Sequence, residues 1–83
     1  MSFFVYLLKS ISPGKKKTYV GYTNNLTKRL FLHNNNKGAK STRGFKWKIS
    51  YKKKFVSKSK AMSYEYKLKH DKILRKKIIT KYD

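Results

Sequence analysis

Cysteine is missing from the 83 residues, and acids nearly so: three Asp and Glu stand against 23 Lys and Arg, for a formal net charge of +20. Without cysteine there is no disulfide scaffold and no thiolate zinc site, and the redox compartment stays open. The longest apolar stretch, Phe3 to Leu8, is far too short to span a bilayer. It also lacks the basic start and small-residue cleavage site of a signal peptide. No amphipathic helix gathers the aromatic residues on one face, as a membrane-surface binder requires. The expectation is a soluble intracellular protein, cytoplasmic or nucleoid-associated, with no membrane partner.

The scarcity of acids carries the first functional implication. A Lys-, Asn-, Ile- and Tyr-rich chain can reflect AT-rich codons, but Asp and Glu also have AT-rich codons, and here they are almost gone. So lopsided a charge repels itself unless a polyanion is near, and polyphosphate backbones are the commonest such partner. The expected partner is DNA, with RNA admitted by the same chemistry.

What is present reads as one domain over residues 1–83, without repeat or linker. Phe3-Phe4-Val5-Tyr6-Leu7-Leu8 and Lys17-Thr18-Tyr19-Val20-Gly21-Tyr22 are β-prone runs separated by Ser12-Pro13-Gly14 turn chemistry, which predicts an antiparallel hairpin. Asn25 can cap a helix running to about Asn34, in which Leu26, Arg29, Leu30 and His33 recur at i, i+3, i+4 and i+7. Asn34 to Gly44 reads as a loop. Phe45, Trp47, Ile49 and Tyr51 then alternate with Lys46, Lys48, Ser50 and Lys52, predicting a third strand with aromatics facing the core and a solvated lysine stripe. A helix follows from a Ser57 cap to about His70, with Ala61, Tyr64, Glu65 and Leu68 on its inward side. Asp71 can cap a short third helix tied to the core by Ile73, Leu74 and Ile78. The order is β-β-α-β-α-α, an α+β domain whose small three-stranded antiparallel sheet is covered by helices.

Glu65 stands out because it alone of the three acids falls mid-helix, on the inward stripe. A buried carboxylate needs a partner, either a cation such as Arg29 or a hard metal ion. Mg²⁺ is commonly held by one or two carboxylates together with water and phosphate oxygens. Lysine supplies 20 of the 23 basic residues, so an arginine on an apolar stripe is notable, and Arg29 suits either bidentate phosphate contact or pairing with Glu65. His33 can bond a backbone carbonyl at a helix end or move a proton. Tyr6 and Tyr19 fit core packing as readily as chemistry. Lys40 and Arg43, among small loop residues, can approach a phosphate backbone, and Lys46 and Lys48 extend that basic surface without reading sequence.

Together these residues resemble a family. Phe4-Val5-Tyr6 and Tyr19-Val20-Gly21 sit a hairpin apart, followed by Arg29 and His33 on one helix and Glu65 on a later one, which resembles the GIY-YIG nuclease domain over nearly the whole chain. Tyr22-Thr23-Asn24-Asn25, Lys28-Arg29 and the Gly38–Gly44 loop are similar to the branch of small bacterial proteins and the catalytic subunit of the eukaryotic structure-specific endonuclease. Phe4 stands where the first triplet has glycine, and that subunit's zinc module has no counterpart here.

The resemblance implies a DNA endonuclease dependent on one divalent ion, Mg²⁺ or Mn²⁺, bound through Glu65. It implies catalytic roles for Tyr6, Tyr19, Arg29, His33 and Glu65: tyrosine helping to deprotonate water, histidine relaying the proton, arginine stabilising the phosphorane-like transition state. A free tyrosine titrates near pH ~10, so such a base needs positive charge beside it. Single-stranded or branched DNA is the expected substrate, and a monomer or weak dimer the expected assembly. A basic binder without catalysis, or a ribosome-associated polycation, would keep the charge but has little reason to keep Glu65.

Overall fold

The computed structural model describes residues 2–11 and 17–82, the side chain of Tyr82 excepted. The Ser12-Pro13-Gly14 turn lies outside the described residues. The strands are β1 (Phe3–Ser10), β2 (Thr18–Thr23) and β3 (Trp47–Phe55), and the helices are α1 (Leu26–Asn34), α2 (Lys58–His70) and α3 (Lys72–Tyr82), with a 3₁₀ turn at Lys40–Thr42. This is the α+β order expected from the sequence.

The unbroken apolar run of β1 follows from its place. It is the central strand of an antiparallel sheet ordered β2-β1-β3, so both its faces are covered. Val5, Tyr6, Leu7 and Leu8 are each at most 1% exposed. Side chains alternate across the sheet, so two cores result. Val5 and Leu7 pack with Val20, Ala61, Leu68 and Ile78 beneath α2 and α3. Tyr6 and Leu8 pack with Trp47, Tyr19, Leu26 and Leu30 beneath α1. Each fully buried aliphatic chain of this kind stabilises the fold by roughly 1.5–3 kcal/mol.

Helix boundaries follow their caps. Asn25 accepts a hydrogen bond from the Lys28 amide, Ser57 from the Lys60 amide and Asp71 from the Leu74 amide. The third helix is longer than expected at 11 residues. Its inward face also differs: Ile73 is 71% exposed, while Ile79 joins Leu74 and Ile78 against the core.

The third strand departs most from the expectation. It starts at Trp47 and runs on through Lys52, Lys53 and Lys54 to Phe55, because those lysines pair with the start of β1. An edge strand carries such charge readily. The pairing also slips: Leu8 is opposite Ile49 but Leu7 is opposite Tyr51, leaving Ser50 as an extra residue. This bulge sends Trp47 and Ile49 to the α1 face and Tyr51 to the α2/α3 face, where its hydroxyl meets that of Tyr64 at 3.1 Å. The single aromatic face and the continuous lysine stripe read from the alternation are therefore both divided. Lys48 shares the face of its partner Lys9, and Lys52 shares that of Tyr6.

Candidate active site

The α1 face of the sheet brings four of the expected residues together. Tyr6 on β1 and Tyr19 on β2 lie with ring centroids 6.3 Å apart. His33, fully buried on the last turn of α1, sits 4.9 Å from the Tyr19 ring and 5.9 Å from the Tyr6 ring, centroid to centroid. Glycine makes this approach possible: Gly21 is opposite Tyr6, and a Cβ there would come within 2.5 Å of the Tyr6 hydroxyl. A Cβ on Gly38 would strike the His33 ring in the same way.

Hydrogen bonds orient the group. The Thr42 hydroxyl donates to the Ala39 carbonyl at 2.7 Å, which uses its one proton. It therefore accepts from His33 Nδ1, 3.0 Å away, so the ring proton sits on Nδ1. Bare Nε2 then accepts from the Tyr6 hydroxyl at 2.9 Å. The result is a buried, directed chain from Tyr6 through His33 and Thr42 to Ala39. Trp47 supports it from below, its indole N–H donating to the Thr42 carbonyl at 3.0 Å. The side chain of Asn34 fastens α1 to β3 by bonding both the amide and the carbonyl of Trp47. Thr42, Trp47 and Asn34 are thus part of the site's construction, a role their sequence context did not mark. The one available signal was a hydroxyl residue in a Gly- and Ala-containing loop following the histidine helix.

Electrostatics agree with this chain. Burial pushes the Tyr6 hydroxyl up to about 12, against the pull of the neighbouring Arg29 guanidinium, while Tyr19 and Glu65 push the same way as burial. Burial, and then the charge of Arg29, hold His33 below its ordinary value. Both residues are therefore neutral near pH 7. Arg29 is held more firmly charged, chiefly through the Tyr6 hydroxyl. Its Nε is buried without a hydrogen-bond partner, the one such side-chain atom among the described residues. An unsatisfied buried donor costs roughly 1–3 kcal/mol, so packing alone does not account for this arginine.

A depressed histidine gives a testable pH dependence. Unfolded His33 regains its ordinary value near ~6.5 and binds a proton more readily than the folded residue does. Stability is therefore fully present above that value and is lost as the pH falls from about 6.5 toward the lowered folded value. Thermal melts from about pH 7.5 to 5.5 should show the wild-type melting temperature dropping more than that of His33→Gln. Parallel curves would contradict the buried neutral histidine.

Glu65 is half-buried on α2, the helix packed against β2 and β1. It is less buried than its helical stripe implied, so desolvation does not force a partner on it. Among the described residues no ion pair joins it to Arg29, although its charge reaches the Tyr6 hydroxyl. Asp71 is committed to capping α3. Among the described residues no cluster of three His, Cys, Asp or Glu could form a metal cage. A hard cation held by one carboxylate with water and phosphate oxygens fits this donor set.

The basic residues divide. Lys40 lines a groove with Tyr19, Ser41, Lys69 and Arg75. Arg43 is exposed just past the 3₁₀ turn. Lys46 donates to the Asn34 carbonyl at 2.8 Å, closing the end of α1. Lys48 is exposed on the opposite face of the sheet from Tyr6. Arg75 reaches back to the carbonyls of Leu68 and Lys69, closing the end of α2.

A three-stranded sheet whose strand tyrosines meet a helix arginine and histidine, with a glutamate on the next helix, agrees with the resemblance to the GIY-YIG domain noted in the sequence. The chain belongs to that nuclease family: residues 2–78 match the GIY-YIG catalytic domain. It is 46% identical over 67 residues to a UPF0213 protein of Oceanobacillus iheyensis, covering 80% of this chain and 74% of that one. A UPF0213 protein of Clostridium perfringens is 45% identical over 67 residues, 80% of this chain and 69% of its own. The solution NMR structure of a UPF0213 protein from Bacillus halodurans superposes with a TM-score of 0.55 at 32% identity, covering 96% of this chain and 84% of that one. No helix among the described residues is long and apolar enough to cross a membrane.

Proposed function

We propose that the chain is a divalent-metal-dependent endonuclease that hydrolyses phosphodiester bonds in DNA, acting on single-stranded or branched substrates rather than plain duplex. The observation that carries this reading is the directed Tyr6–His33–Thr42 chain beside Tyr19 and an arginine whose buried Nε has no partner. A module that only binds DNA has no use for it.

In this reading Tyr19, the tyrosine that lines the open groove, gives up its own proton to solvent beside the positive charge of Arg29, and the phenolate oxygen then takes the proton of the attacking water. Tyr6 and His33 behind it hold the ring in place, themselves fixed by the hydrogen bond from the Tyr6 hydroxyl to His33 Nε2. Arg29 meets the negative charge that grows on the scissile phosphate, where one aimed donor is often worth roughly 3–4 kcal/mol. Glu65 would hold Mg²⁺ or Mn²⁺, which when bound supplies charge stabilisation at the leaving oxygen. Lys40, Arg43 and Lys46 position the backbone without reading bases.

The test uses end-labelled single-stranded, flap and duplex oligonucleotides with Mg²⁺, Mn²⁺ or EDTA. Cleavage is expected in both metals, strongest on single-stranded or flap DNA, and absent in EDTA. Binding without cutting under every condition would leave only a basic binder.

A further inference from the structure

Two grooves flank Tyr19 and Arg29, and α2 touches both. The first is lined by Tyr22, Asn24, Arg29 and Lys58. The second is lined by Thr18, Tyr19, Lys40 and Lys69. Lys58 opens α2 beside the C-terminal end of β2, and Lys69 lies near its close beside the N-terminal end of that strand. At 1.5 Å per residue the two lysines are about 16 Å apart along the helix. The five steps of β2 from Thr18 to Thr23 measure about 17 Å at 3.4 Å each, so helix and strand match in length.

The three side chains also share a direction. At 100° per residue Lys58, Glu65 and Lys69 fall within about 40° of one another around α2. They run along the rim of its buried side, since Ala61 and Leu68 turn inward while Lys58 and Lys69 are exposed and Glu65 is half-buried. β2 is an edge strand, paired only with β1, so this rim borders an open side of the sheet. A single acid between two cations on one helix face is the charge order that suits a polyphosphate strand with one bound cation.

We propose that the two grooves are the ends of one track for the DNA strand being cut, which runs past the outer edge of β2 along the exposed rim of α2, with Lys58 gripping a phosphate on the Arg29 side of Glu65 and Lys69, with Lys40, gripping one on the far side of Tyr19. At 3.4 Å per stacked nucleotide the track spans about five nucleotides. It holds one strand, and the paired arms of a branched substrate lie beyond its ends. The inference deepens the proposed function and rests on the same site, but Lys58 and Lys69 take part through phosphate binding alone.

Fluorescence anisotropy in EDTA separates this from catalysis. The probe is a labelled single-stranded oligonucleotide, titrated at several salt concentrations. Removing one lysine that neutralises a phosphate should lower the slope of log affinity against log salt by about 0.7. Lys58→Ala and Lys69→Ala should each do so, and the double variant should lower it by about twice as much. Lys76→Ala and Lys77→Ala, exposed on α3 beside Ile73 and outside both grooves, remove the same charge and should barely change the slope. If all four single variants shift it equally, binding follows net charge and the track is wrong. A wild type that cuts DNA while the Lys58 and Lys69 variants match the controls overturns the track alone. Variants that differ from the controls in a protein that never cuts uphold the track and overturn the nuclease reading.

Discussion

Glu65→Gln is expected to lower DNA cleavage by at least about 10²-fold while leaving binding in EDTA and thermal stability close to wild type. A cation held at this position would supply several kcal/mol to the transition state, and each ~1.4 kcal/mol is tenfold in rate. The fold itself has little stake in the carboxylate. Glu65 is half-buried and, among the described residues, not ion-paired with Arg29, so the amide leaves no orphaned partner. Exposed and half-exposed substitutions of that kind usually change stability by no more than about 0.5 kcal/mol. Single-turnover cleavage, anisotropy and a thermal melt on the same preparation check all three. An unchanged rate, or a rate loss that tracks a fall in melting temperature, would remove Glu65 from the reaction.

Arg29→Met should lower activity without lowering stability. Cleavage is expected to drop by roughly 10²–10³-fold, the usual cost of losing one donor aimed at developing charge. Stability is expected to hold or rise, because methionine removes a buried Nε that lacks a partner and that costs roughly 1–3 kcal/mol. A residue that the fold tolerates at a cost, and that the reaction needs, shows this trade. Arg29→Lys keeps the charge but loses the planar fork, so it should recover binding more than rate. Loss of stability in Arg29→Met would show the arginine to be structural.

Much of this was legible along the chain, because the devices involved are local. Asn25, Ser57 and Asp71 announce their helices by side-chain caps, and the Leu26, Arg29, Leu30, His33 spacing places one face of α1 against the sheet. What escaped is set through space. The Ser50 bulge carries no glycine to mark it, and it arises from how β3 must register against a central strand buried on both faces. It alone decides that Trp47 and Tyr51, both odd-numbered, serve different cores. Thr42 orients His33 from nine residues away, across a loop whose path no periodicity encodes. Lys58 and Lys69 were invisible for the opposite reason: among twenty lysines no single one stands out until the grooves place it.

The proposed reaction cuts a DNA strand internally. A covalently closed single-stranded circle offers no ends, so only an endonuclease can convert it to a linear form. Incubated with the wild-type chain and Mg²⁺, the circle should be linearised and then shortened, and it should stay closed in EDTA or with Glu65→Gln. A circle that is bound yet remains closed in Mg²⁺ and in Mn²⁺ would contradict the account.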